Sequence, residues 1–220
     1  DKIFSRMRKH WVRVVPDEKI IKYLNEINHE ILTILEISGE NWRTKFFSKK
    51  YTSLSYQEFD IEKDREHSEK YDLIILEHVL EHVSNPVKFL KPIITYLKKD
   101  GFMYIEVPCN DWKHKKILEP HLLFFDKKPM KELLNKLNVS LLKIGYFGTT
   151  IHDSKSFFQN FLKRTRAFVY HKLNFRYYHL KRKELMKLLK TPYEVEALLP
   201  FDSHIEKRNE SLWLRVIFKK

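Results

Sequence analysis

The chain has 220 residues, of which 42 are Lys or Arg and 29 are Asp or Glu, giving a formal charge of +13. Hydrophobic residues make up 43% and charged residues 32%, which excludes wholesale disorder, and only 4 glycines and 8 prolines exclude a collagen-like or low-complexity architecture. The one cysteine, Cys109, rules out an internal disulfide, a zinc knuckle and a redox CxxC pair.

Pro16 opens a helix, with Asp17 and Glu18 suited to the positive end of its dipole. Ile20, Ile21, Leu24 and Ile27 then repeat at helical spacing to about Glu30. Ile31–Ile37 is an apolar, β-branched run that stops at Ser38-Gly39, and it reads as a strand buried on both faces, as inside a parallel sheet. Tyr51–Tyr56 is a weaker strand and Tyr71–Leu76 a strong one. Val79–Val83 starts a helical stretch that Asn85-Pro86 interrupts. Val87, Leu90, Ile93, Ile94 and Leu97 continue it until Asp100-Gly101. Phe102–Val107 is the next strand, stopped by Pro108. A short helix over Pro129–Leu137, a strand over Val139–Phe147 ending at Gly148, and a last strand over Ser211–Phe218 complete the order. Helix and strand alternate, which predicts an α/β layered sheet with right-handed crossovers.

The alternation stops where the charge collects. Residues 151–191 hold 11 basic residues against Asp153 and Glu184, a local charge of +9. Such a field speaks about partners rather than fold. Phe157, Phe158, Phe161, Leu162, Phe168 and Val169 recur there at helical spacing, with Lys163, Arg164 and Arg166 between them. Three readings compete. The helix packs its aromatic face on the sheet and solvates its basic face. Alternatively segment 155–190 lies on an anionic membrane, or it binds nucleic acid with Phe175, Tyr177 and Tyr178 stacking on bases. Apolar runs such as Leu73–Leu76 and Leu122–Phe125 are far short of the ~18 residues a membrane span needs, and no apolar signal core follows residues 1–10. A reducing, cytoplasmic compartment is the expectation.

In a doubly wound sheet, ligands bind beyond the carboxyl ends of the strands. Glu36, Ser38, Gly39, Glu40 and Asn41 follow the first strand, Glu77 and His78 the third, and Pro108, Asn110 and Asp111 the fourth. An acidic residue at a strand end followed by a tight turn suits ribose hydroxyls or a cationic amine better than pyrophosphate.

Leu35-Glu36-Ile37-Ser38-Gly39, Phe59-Asp60-Ile61 and Tyr71–Val83 with Asn85-Pro86 together resemble a class I S-adenosylmethionine-dependent methyltransferase. Lys99–Phe102 running to Glu106-Val107-Pro108, and Pro120–Phe125, agree with it. The similarity covers about residues 16–148 and the closing strand, and the Leu-Glu-Ile-Ser-Gly variant is similar to methyltransferases associated with surface-polysaccharide synthesis. It implies a Rossmann-like, doubly wound, mostly parallel seven-stranded sheet. It also implies one domain: an N-terminal extension (1–15), a cofactor-binding core (16–148), a helical basic insertion that selects or covers the acceptor (149–210), and a closing strand (211–220).

Carried onto this chain, the resemblance places Glu36, Ser38 and Gly39 around the methionine part of S-adenosyl-L-methionine, with Glu40 also among the cofactor-binding residues. Asp60 and Ile61 fall at the adenine edge, and Glu77, His78 and Val79 beside the sulfonium. Two positions depart from the pattern. The Gly-x-Gly after the first strand survives only as Gly39, and the ribose-holding acid after the second strand is read as replaced by Ser55 or Tyr56. Because an alcohol is a weak nucleophile, a general base is expected among His78, His82, His114 and His121, with His121 first and His82 beside it as base or packed neighbour. No HExxH, EF-hand or clustered carboxylate–His set is visible, so a metal is not implied. The function implied is O-methylation of a sugar hydroxyl in a glycan or glycan precursor. The alternatives are a methyltransferase for RNA or another anionic acceptor, and a degenerate, non-catalytic binding module.

Overall fold

The computed structural model describes residues 15–27, 30–37, 55–59, 69–109, 121–148, 195–196, 199, 201–206 and 211–220. They form helix α1 (Val15–Glu26), strands β1 (Thr33–Ile37), β2 (Ser55–Phe59) and β3 (Tyr71–Glu77), and helix α2 (Pro86–Thr95). Strand β4 (Leu97–Pro108), helix α3 (Lys127–Leu137), and strands β5 (Ser140–Phe147) and β6 (Trp213–Lys219) follow.

Among the described residues the sheet has six strands in the order β2-β1-β3-β4-β6-β5, one fewer than expected. The β1–β2, β1–β3 and β3–β4 pairings are parallel and β4–β6 is antiparallel. The chain therefore leaves β1 to one side to form β2 and returns on its other side to form β3. That reversal opens a crevice beyond the carboxyl ends of β1 and β3, the place where such sheets take ligands. Burial explains the central strands: Ile34, Leu35, Leu73, Ile74, Ile75 and Leu76 are all fully buried, as a strand covered on both faces requires.

Two elements differ from the sequence expectation, and in both the tertiary pairing decides. Strand β2 occupies Ser55–Phe59 rather than Tyr51–Tyr56, because it pairs residue for residue with β1, from Thr33↔Ser55 to Ile37↔Phe59. Helix α2 ends at Thr95, not at Asp100-Gly101. Tyr71 donates its N–H to the Tyr96 carbonyl at 2.8 Å, and Leu97 already pairs with Tyr71 in β4. Asp100 and Gly101 instead form a bend inside β4: Asp100 has φ 65°, and the register skips from Tyr71↔Leu97 to Leu73↔Phe102.

The helix starts follow capping rules. Asn85 precedes α2 and its side chain accepts from the Lys88 N–H at 3.0 Å. Asp126 precedes α3 and accepts from the Lys127 N–H at 2.7 Å. At the far end of α3, Asn138 adopts φ 59°, a left-handed cap.

The chain divides into two compact units, residues 1–29 with 147–205 and residues 30–146 with 206–220. In the first, α1 buries Ile20, Ile21 and Leu24. Lys19 Nζ donates to the Glu196 and Leu199 carbonyls, and the Tyr23 and Phe201 rings lie 5.3 Å apart. The second carries the sheet edge described next. The aromatic and basic residues expected to form a helix within 155–190 lie outside the described residues.

Candidate active site

The carboxyl ends of β1, β3 and β4, and the amino end of the antiparallel β6, place charged side chains among apolar neighbours. Glu36 is next to last in β1 and Glu77 is last in β3, both buried. Glu36 pairs with Ile75, and Glu77 lies two residues further along, so both point to the same face. On that face Glu77 pairs with Glu106, and Glu106 pairs with Arg215. Arg215 Nε meets Glu106 Oε2 at 2.5 Å, and the Tyr104 hydroxyl donates to the same oxygen at 3.0 Å.

Burial alone would raise the Glu106 pKa, but the Arg215 guanidinium holds the carboxyl well below the usual carboxylate range. Burial likewise pushes the Tyr104 hydroxyl well above its ordinary value. A buried charge needs a partner, and here each strand supplies one half of the pair.

His78 follows β3 directly and turns the chain with φ 54°, a strained conformation for a non-glycine residue, costing about 1–3 kcal/mol. Its N–H is held by the Glu106 carbonyl at 3.0 Å. Its imidazole lies between two acids, with Nε2 3.3 Å from Glu106 Oε1 and Nδ1 3.5 Å from Glu81 Oε1. Burial would lower the His78 pKa, but the Glu106 and Glu81 carboxyl groups on either side raise it to about 10.

Val79 then leads into one 3-10 turn, Leu80–His82, which buries Glu81 completely and leaves His82 half-buried. The Glu81 carbonyl accepts the N–H groups of Leu122 (2.7 Å) and Leu123 (3.0 Å). These bonds tether the loop after β4 and bring in His121. His121 Nε2 lies 4.0 Å and His82 Nε2 3.8 Å from Glu81 Oε1, and the two rings meet edge-on at 4.8 Å.

The structure thus places Glu36, Glu77, His78 and Val79 at the carboxyl ends of β1 and β3, and gathers His82 and His121 around Glu81. Ser55 is not among them. It opens β2, paired with Thr33 at the amino end of the sheet, a strand's length from the crevice. Tyr56 is likewise inside the strand. Ser38, Gly39, Glu40, Asp60 and Ile61 lie outside the described residues.

Three residues escaped that reading: Glu81, Glu106 and Arg215. The signal for the last two was a charged residue of each sign inside two apolar strands, Phe102–Val107 and Ser211–Phe218, which burial forces into a pair. Beside the loop, a groove of about 670 Å³ runs between α2 and α3, with Lys88, Lys91 and Lys136 along it and Phe124 and Phe125 in its wall.

A family model described as a methyltransferase domain matches residues 22–144. The chain belongs to this methyltransferase-domain family, whose cofactor is S-adenosylmethionine. Solved structures similar in fold include the plantazolicin methyltransferase BpumL in complex with SAH, at 17% identity and a TM-score of 0.53, covering 100% of this chain and 89% of that one. The plantazolicin methyltransferase BamL, solved with a triazolic desmethylPZN analog and SAH, is similar at 13% identity and a TM-score of 0.55, covering 100% and 90%. A comparison with curated proteins finds no match.

Proposed function

We propose that this chain transfers a methyl group from S-adenosylmethionine to a hydroxyl oxygen of a sugar in a glycan or glycan precursor. The observation that carries the reading is the Glu81–His82–His121 cluster, tied to the turn that leaves β3 at the crevice. Buried Glu36 and Glu77 put carboxyl oxygens at that crevice, which suits the cofactor's ribose hydroxyls and amine. When bound, S-adenosylmethionine supplies a methyl group already activated by positive sulfur.

The chain's own residues then have two tasks. Glu36, Glu77 and the residues after β1 and β2, including Ser38, Gly39, Glu40, Asp60 and Ile61, hold and orient the cofactor so that the acceptor stands in line behind the methyl. The histidine cluster activates the acceptor oxygen, a step a hydroxyl needs and a neutral amine does not. The sugar assignment draws on the Leu35–Gly39 motif. Lys88, Lys91 and Lys136 along the groove, with the +9 segment, favour a second reading in which the acceptor is anionic, such as RNA.

The test supplies methyl-labelled S-adenosylmethionine with free, nucleotide-linked and lipid-linked sugars, and with RNA across a salt series. An O-methylated sugar is the expected product, and His121→Ala lowers turnover by about 10²-fold or more while cofactor affinity stays unchanged. Methyl transfer only to nitrogen, or full turnover in the variant, contradicts the reading.

A further inference from the structure

We infer that Glu81, His82 and His121 form a binding site for one divalent first-row transition-metal ion. Glu81 is fully buried, yet among the described residues neither of its carboxyl oxygens has a hydrogen-bond partner. Leaving such a group unsatisfied costs about 1–3 kcal/mol or more, so its position calls for a further partner. What faces it is imidazole: His78 Nδ1 at 3.5 Å, His82 Nε2 at 3.8 Å and His121 Nε2 at 4.0 Å, all measured to Oε1.

The ligand atoms of Glu81, His82 and His121 lie within 4.8 Å of one another. An ion held at about 2.0–2.2 Å by nitrogen and oxygen ligands sets them roughly 3.4 Å apart in a tetrahedral site. Closing on the ion therefore asks for an inward movement on the order of 1 Å. His82 is about a third exposed, so its ring is not enclosed on every side.

Two imidazoles and one carboxyl group select zinc, cobalt, iron, nickel or manganese over magnesium and calcium, which prefer all-oxygen sites. Three protein ligands also leave positions for water or substrate, as a catalytic rather than a purely structural site does. His78, with its other nitrogen near Glu106, stands 3.5 Å from the same Glu81 oxygen, as an outer neighbour of the site. In the methyl-transfer reading, on which this role but not the site itself rests, the ion lowers the pKa of the acceptor hydroxyl that coordinates it.

The experiment is a Co²⁺ titration of the chelator-treated full chain, followed by visible absorption and calorimetry, with neither cofactor nor acceptor present. The expected result is one Co²⁺ per chain with ligand-field bands. His82→Ala and His121→Ala each weaken binding by at least ~100-fold, beyond the 10–100-fold that outer partners cost. Exposed His204→Ala leaves it unchanged. Circular dichroism confirms that the histidine variants are folded, which avoids reliance on the buried Glu81→Gln. No saturable binding, or binding that both histidine variants retain, overturns the site. Co²⁺ binding in a chain that does not bind S-adenosylmethionine would refute the methyl-transfer reading alone. Methyl transfer in a chain that binds no Co²⁺ would refute the metal site alone.

Discussion

Replacing Arg215 by Met keeps the side-chain volume but removes the cation that neutralises Glu106. Both side chains are more than nine-tenths buried and in contact at 2.5 Å, so the remaining carboxylate cannot be rescued by bulk water. Breaking such a pair from one side typically costs about 3–5 kcal/mol. His78 Nε2 stays 3.3 Å from the other oxygen, and the Tyr104 hydroxyl still donates, so the lower end of that range, about 3 kcal/mol, applies. Urea unfolding followed by circular dichroism reads this as a midpoint lowered by roughly 1–2 M, taking a slope near 2 kcal/mol/M. Thermal unfolding reads it as a loss of roughly 6–12 °C for a chain of this size. The double variant Glu106→Gln/Arg215→Met recovers most of the loss, because neither member of the pair is left as a buried charge without the other. A single-variant cost below ~1 kcal/mol, or a double variant no better than the single, refutes the claim that this ion pair is desolvated and mutually dependent.

Two further predictions concern the frame that holds the site. Asp72 takes hydrogen bonds from the Leu32 and Thr33 N–H groups, the Thr33 hydroxyl and Lys98 Nζ, tying the starts of β1, β3 and β4 together. Asp72→Ala therefore costs about 2–3 kcal/mol in equilibrium unfolding, and an unchanged unfolding midpoint would contradict it. Burial would raise the Asp72 pKa, but the Thr33 and Lys98 contacts lower it further than that. The folded pKa is thus below the unfolded one, so the stability Asp72 adds is fully present above about pH 4–5 and fades as pH falls through the folded pKa. The alanine variant loses that part of the acid dependence, and an identical pH profile would refute the linkage. Gly101→Ala destabilises by about 1–3 kcal/mol, because the added Cβ would meet the Tyr71 carbonyl oxygen at 3.0 Å and the Lys98 carbonyl oxygen at 3.1 Å, backbone atoms that cannot swing aside. A neutral substitution there would show that the β4 bend is not closely packed.

The parts of the fold that were legible in the sequence are those where burial leaves a one-dimensional trace. Ile31–Ile37 and Tyr71–Leu76 are apolar at every position because both faces of a central parallel strand are covered. Asn85-Pro86 and Gly148 announce boundaries through backbone chemistry alone. Strand β2 reads weakly because Ser55–Phe59 owes its extent to the ladder with β1, and no local preference separates it from Tyr51–Leu54.

At the site, Glu36, Glu77 and His78 were legible from their place at strand ends. Glu81 was hidden in plain view: nothing local says that this acid within Glu77–Val83 is wholly buried, with His78 and His82 close to it. His121 lies far along the chain from His82, and the hydrogen bonds from Leu122 and Leu123 to Glu81 hold its segment there. That is why motif spacing gave no metal while the folded side chains bring three ligand atoms together.

Isothermal titration calorimetry with S-adenosylmethionine bears most directly on all of this. The account predicts one saturable site per chain, weakened at least about tenfold by Glu36→Gln, the worth of a charge-assisted hydrogen bond. Absence of heat at millimolar cofactor, or full affinity in the folded Glu36→Gln variant, would contradict it.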